Sequence, residues 1–250
     1  MIDFGLSAAE SGLNGATLQM GVVADNLANV GTPGFNAAEA VALAGPGQVV
    51  QPAANGATQN LVISTGQTGA APVLTTTQGP LTPGASTDLA LTVPGYFPVR
   101  TANGIALTRD GQFERNATGN LVTANGGVLL DLALKPVVVP ATGWSISNGS
   151  VLGPAGQVLA QLGIANVPNP SGMTRITGGY VPGAQSGAAT YAPALGGDVM
   201  QGYLEGANTN PALQMANLVA IQGQFQLLTD VVTQAATLSR LTAQMPPTPA

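Results

Sequence analysis

The stretch GLSAAESGLNGATLQMGVVADNLANV, residues 5–30, decides how this chain is read. Leu6, Ala9, Leu13, Ala16, Met20, Val23 and Leu27 recur at alternating spacings of three and four, which places them on one face of an α-helix. Ser7, Glu10, Asn14, Gln19 and Asp25 fall off that seam. The helical pattern stops at Gly31-Thr32-Pro33-Gly34, a strong turn signal.

The other end of the chain repeats the theme. Asn210-Pro211 reads as an N-cap followed by proline at the first helical position. Leu218, Ile221, Phe225, Leu228, Val232 and Ala235 keep the three–four alternation, and Leu238, Leu241 and Met245 then drift off the strict heptad. The helix is expected to end before Pro246-Pro247. A helix with a single apolar seam needs a partner, and the simplest partner for each of these is the other.

Between the helices the pattern changes. Residues 36–85 show little periodicity and read as extended chain with one or two strands, Leu61-Val62-Ile63 among them. From Leu89 onward short apolar runs alternate with turn signals at Asn103-Gly104, Asp110-Gly111, Gly119-Asn120, Asn125-Gly126-Gly127 and Asn148-Gly149. Asn-Gly and Asp-Gly supply the positive φ of tight hairpins, so this part reads as an all-β meander. The expected fold is therefore α+β and multi-domain, with a mainly antiparallel β body between terminal helices paired like a coiled coil. The expected boundaries are 1–35 for the first helix and turn, and 36–85 for the connecting segment. The β-rich domain takes 86–195, and the linker with the last helix takes 196–250.

Composition narrows the function. Charged residues make up 7% of the 250, against roughly 25% in an average soluble protein. Six cations against eleven acids give a net charge of −5, and no Lys or Arg precedes Arg100. Binding nucleic acid or an anionic membrane surface takes clustered cations, and none are clustered here. No apolar run reaches about 18 residues, so a spanning helix is not expected. Cysteine and histidine are both absent, which removes disulfides, thiolate metal sites and the commonest general base. So few charges also protect a lone chain poorly against association. The start, Met1-Ile2-Asp3-Phe4, carries no basic n-region of a cleaved leader.

Specific blocks resemble a known family. Asn26-Leu27-Ala28-Asn29-Val30-Gly31-Thr32-Pro33-Gly34-Phe35 is similar to the N-terminal signature of bacterial flagellar rod and hook proteins. Asp88-Leu89-Ala90-Leu91, Gly95-Tyr96-Phe97-Pro98-Val99, Leu107-Thr108-Arg109-Asp110-Gly111-Gln112-Phe113 and Gly119-Asn120-Leu121-Val122-Thr123 resemble the β signature of the rod branch, in the same order. Gln201-Gly202-Tyr203-Leu204-Glu205-Gly206-Ala207-Asn208-Thr209-Asn210-Pro211 looks like the segment before the family's last helix. The length favours a rod subunit, distal or proximal, over the longer hook protein; between the two the resemblance is taken to the distal rod. Asn36, the run Gln222-Gly223-Gln224-Phe225-Gln226 and Pro94 depart from the family's usual charged or polar residues.

The resemblance implies a structural subunit of the flagellar basal body, with no cofactor and no small-molecule substrate. It implies a helical polymer with copies of itself and with other rod and hook proteins, an axial structure that transmits torque. It also implies delivery by the flagellar export apparatus without a cleaved leader, and no membrane insertion. The expected assembly residues are Leu6, Leu13, Met20, Val23, Asn26, Leu27, Asn29, Pro33, Gly34 and Phe35 at the first end. At the second they are Asn208, Asn210, Pro211, Leu218, Ile221, Phe225, Leu228 and Val232. Asn26, Asn29, Pro33 and Gly34 also read as plain helix-stop chemistry, and Asn208, Asn210 and Pro211 as capping. Arg109 and Asp110 read as the solvated tip of a hairpin, or as a β contact between subunits.

Two other readings compete on the same residues. As an enzyme, Asp110 and Glu114 on one strand would stand roughly 13 Å apart, too far for paired carboxylate chemistry. Lys135 lies in no phosphate-binding loop. As a secreted binding module with a helical-hairpin cap, the chain would offer Tyr96, Phe97 and Trp144 to a carbohydrate; those aromatics read equally as core. Isolated helices of this length are marginal in water, so the terminal segments are expected to order on assembly.

Overall fold

The computed structural model describes residues 2–44, 48–49, 62–63, 67–74 and 77–244. Helix α1 spans Ile2–Ala28 and helix α2 spans Pro211–Gln244. The expected strand residue Leu61, the drift position Met245 and the Pro246-Pro247 stop lie outside the described residues, as does the side chain of Leu6.

The chain divides into two compact units. The first draws on the described residues of Met1–Leu27, Ala38–Val73 and Pro211–Ala250. In it α1 and α2 pack together through Ala16, Val23 and Ile221, flanked by Met20 and Leu218. Two strand pairs belong to the segment read from sequence as irregular. Ala38–Ala44 lies beside Gln67–Leu74, and Gln48–Val49 beside Val62–Ile63. Only the Val62-Ile63 strand was anticipated.

The second unit comprises Ala28–Ala37 and Leu74–Asn210. Its centre is a seven-stranded sheet in the order Met173–Ile176, Gly179–Pro182, Gly104–Thr108, Phe97–Thr101, Val128–Leu129, Leu121–Thr123, Phe113–Arg115. Every pairing registered in it is antiparallel. A three-stranded sheet of Ser145–Ser147, Ser150–Leu152 and Val158–Gln161 adds a second layer of strands. The core is fully buried Leu89, Leu91, Phe97, Val99, Phe113, Leu121 and Leu129, with Phe97 and Phe113 packed edge to face at 5.6 Å. Residues 89–91, 97–99 and 106–108 are each buried at three successive positions, so these strands are covered on both faces, as their continuous apolar runs foreshadow.

Turn chemistry explains most of the connections. Ser147 pairs with Ser150, so Asn148-Gly149 is a two-residue loop, and both residues have positive φ (49° and 70°). Asp110-Gly111 is different, and the hairpin reading fails there. The strand before it, Gly104–Thr108, pairs with Phe97–Thr101 and Gly179–Pro182, whereas the strand after it, Phe113–Arg115, pairs with Leu121–Thr123 at the far edge. Residues 109–112 are thus a crossover. Gly111 is needed for close approach: its carbonyl accepts the Leu89 N–H, and a Cβ there would collide with the Leu89 carbonyl oxygen.

Candidate functional site

The helix pair is built on small residues. Ala9, Ala16, Val22 and Val23 of α1 are buried, as is Ile221 of α2. Gly12 faces the methyl groups of Leu228, and this lack of a side chain lets the helices approach. Of the expected seam, Leu13, Met20 and Leu27 are half-buried, Val23 is buried, and Leu218, Leu228 and Val232 are half-buried. Phe225 departs from it: its side chain is exposed. Val22 was not anticipated, because it lies one residue off the strict heptad. Asn26 is buried and pairs both amide atoms with one residue: Nδ2 donates to the Ala38 carbonyl at 2.7 Å, and Oδ1 accepts the Ala38 N–H at 2.9 Å. An open groove of about 350 Å³ runs along the pair, lined by Gly12, Gly15, Gln19, Gln224, Leu227 and Leu228.

Helix α2 carries a second apolar face. Leu213, Leu227, Val231 and Leu238 are each at least half exposed. With Ala220 they repeat at spacings of seven, seven, four and seven, roughly a third of the way around the helix from the Leu218–Val232 seam. No Asp, Glu, Lys or Arg occurs from Pro211 to Thr229.

In the second unit the three signature blocks converge on a buried ion pair. Arg109 Nε donates to Glu205 Oε2 at 2.9 Å, with the two side chains only 3% and 2% exposed. Arg109 Nη2 donates to the Val93 carbonyl at 2.9 Å, and the Gly79 N–H donates to Glu205 Oε1 at 3.0 Å. The Glu205 carbonyl accepts the Gly34 N–H at 2.7 Å. Gly34 is left-handed at φ 64°, and a Cβ on it would stand 2.2 Å from the Arg109 carbonyl carbon. Arg109 is therefore an interior residue, which corrects the solvated hairpin tip inferred from sequence. Its partner lies 96 residues away, beyond the reach of any local signal.

The segment after α1 and the segment before α2 meet beside that pair. Asn208 Oδ1 accepts the Ala37 N–H at 2.6 Å, its own N–H donates to the Phe35 carbonyl at 3.2 Å, and Nδ2 donates to the Thr77 carbonyl at 2.8 Å. Phe35 is buried with Ala37 and Ala207. The Arg175 guanidinium lies 4.4 Å over the Phe35 ring and donates to the Asn36 carbonyl at 2.8 Å. Asn29 and Pro33 are half-buried in the turn, while Asn210 and Pro211 are exposed. Sequence reasoning missed Arg175, Thr77 and Gly79, none of which sits in a recognisable motif.

Burial sets the titration of this region. The Tyr96 hydroxyl is pushed up to about 12, chiefly by burial; the Arg109 charge acts the other way, and Tyr180 adds to the rise. Asp110 is raised by burial and by Asp88, against a hydrogen bond from the Gln112 N–H. Tyr96 and Phe97 are buried in the two cores of the body and Trp144 packs against one, so none of the three forms an open stacking platform. Among the described residues no helix is long and apolar enough to cross a membrane.

Known proteins match in the same three places. A family described as flagella basal body rod protein matches residues 6–36. The flagellar hook protein FlgE/F/G D1 domain matches residues 90–160, and the flagellar basal body rod FlgEFG protein C-terminal family matches residues 200–245. The flagellar basal-body rod protein FlgF of Rhizobium meliloti is 31% identical over 228 residues, covering 90% of each chain. FlgG of Buchnera aphidicola subsp. Acyrthosiphon pisum is 29% identical, covering 88% of this chain and 90% of its own. FlgG of Agrobacterium fabrum is 28% identical, with 96% and 98% covered.

Proposed function

Because this chain belongs to the flagellar basal-body rod protein family, as a structural component of that rod, we propose that it polymerises through its terminal helices, with copies of itself and with other rod and hook proteins. The assembly then carries torque along its axis. Within that family we assign it the distal part of the rod in preference to the proximal part. Delivery by the flagellar export apparatus belongs to the same reading.

The observation that carries it is the outer face of α2. Leu213, Leu227, Val231 and Leu238 are exposed beside a seam that α1 already occupies, and the first nineteen residues of the helix bear no charge. Covering their exposed portions is worth on the order of 1 kcal/mol each. Repetition over many subunits makes such a face an effective polymer contact. Among the described residues the helix pair buries few large side chains, which supports terminal segments that become fully ordered only on assembly.

The test is electron microscopy of the purified full chain at rising concentration. Tubes, rods or stacked rings are expected, and a chain lacking residues 211–244 should stay monomeric with its β body folded. Filaments built equally well without the terminal helices would refute the proposal.

A further inference from the structure

The Arg109–Glu205 pair raises a question that its burial alone does not answer. Two charges are withdrawn from water in a chain that has seventeen in all, at a position where apolar side chains would also fill the space. A buried ion pair is a weak source of stability, since desolvation offsets most of the attraction. What it supplies is direction. Apolar packing fills volume without fixing register, whereas each donor and acceptor here has one assigned partner.

The assignments tie five chain segments, four through two side chains and the fifth through a backbone carbonyl. Arg109 holds Val93 and Glu205; Glu205 holds Gly79 through its carboxylate and Gly34 through its carbonyl. Asn208 then ties Phe35, Ala37 and Thr77 three residues further on. Residues 29–37 follow α1 and residues 205–210 precede α2, so the pair governs where the chain leaves the β body at both ends.

We infer that Arg109 and Glu205 are positioning residues for assembly, fixing the two departure segments side by side in one register without touching a neighbouring subunit. This rests on the helix-mediated polymer proposed above. A body that unfolds no differently but lets the two segments slip would hold residues 29–37 and 205–210 in many registers, and a repeating polymer accepts one.

The test compares the full chain with Arg109→Met, Glu205→Leu and the double replacement, which removes both charges together. The double variant is expected to keep its thermal unfolding midpoint within a few degrees of wild type, because no charge is stranded. Its amides at Gly34, Gly79 and Ala37 should exchange roughly tenfold faster or more, while those of Phe97–Thr101 stay as slow as before. Its critical concentration for polymerisation should rise about tenfold or more. Each single variant should unfold at a lower temperature than the double, since it buries an unpaired charge. Unchanged exchange at Gly34 and Ala37 in the double variant overturns the inference, and so does polymerisation at the wild-type critical concentration. If the wild-type chain fails to polymerise, the assembly proposal falls, while the exchange measurement still decides whether the pair orders the departure segments.

Discussion

Gly12 of α1 lies against the end of the Leu228 side chain of α2, so close that a Cβ at position 12 would stand 3.1 Å from both Leu228 methyl carbons. Gly21, nine residues along the same helix, has nothing within 4 Å of its Cβ position. One glycine is a contact and the other is free surface, although both weaken the helix alike.

The contrast predicts opposite responses. Gly21→Ala should stabilise the helix pair by about 1 kcal/mol through helix propensity alone. Gly12→Ala gains the same propensity but must push aside a flexible leucine end, and should come out near neutral. Gly12→Val adds bulk the gap does not hold and should destabilise by about 1–3 kcal/mol. Thermal unfolding followed by helix circular dichroism measures all three; equal gains from alanine at 12 and 21 would mean the helices do not meet there.

At the junction, Gly34 meets two separate demands. Its φ of 64° is costly for residues with a side chain, and its Cβ position is blocked by the Arg109 backbone at 2.2 Å. Gly34→Ala should therefore cost about 3 kcal/mol or more in urea unfolding of the β body. Gly34→Asn separates the two causes, because Asn tolerates the left-handed region. If it restores most of the loss, conformation alone required the glycine; the geometry predicts that it does not.

The helices were legible because their signal is periodic and local: Leu13, Met20 and Val23 announce a face without any knowledge of the rest of the chain. Asn148-Gly149 was legible for the same reason, since a two-residue loop with two positive φ values leaves a two-letter mark. Gly111 carries the same kind of mark for an unrelated cause, the nearby Leu89 carbonyl, and so suggested a hairpin where the chain crosses the sheet. Arg109 could not be read at all from its neighbours. Its burial depends on Glu205, and only the family resemblance, which joins the two blocks without saying that they touch, pointed in that direction. Phe225 fits the heptad and is nonetheless exposed, because α1 opposes its neighbours with small residues and buries only part of the seam.

Tyr96 makes the β body sensitive to alkali. Its hydroxyl is raised by burial from 10.0 to about 12, so an unfolded chain releases that proton before the folded one does. The stabilisation is complete below pH 10 and is lost as pH rises through 12, about 2–3 kcal/mol in all. The urea midpoint should fall across that window, and Tyr96→Phe should flatten the fall while leaving the midpoint at pH 7 lower by the lost hydroxyl contact with Asn36. An identical alkaline slope in the phenylalanine variant would assign the effect to another group.

The two faces of α2 can be separated by one charge placed on each. Leu227 is 67% exposed and Ile221 is 7% exposed, one on the outer face and one on the seam with α1. Ile221→Asp buries a carboxylate against Ala16 and Val23, so it should loosen the helix pair within a single chain, lowering helix content, and abolish polymers as a consequence. Leu227→Asp places its charge in solvent, so helix content and the unfolding midpoint of the dilute chain should stay within about 0.5 kcal/mol of wild type. In a polymer the same carboxylate would be pressed into an apolar contact without a cation, since no Lys or Arg of α2 precedes Arg240. Assembly should then fail while the monomer remains intact. Normal polymers from Leu227→Asp would take the outer face out of the subunit contact and leave only the α1 seam to account for the family's architecture.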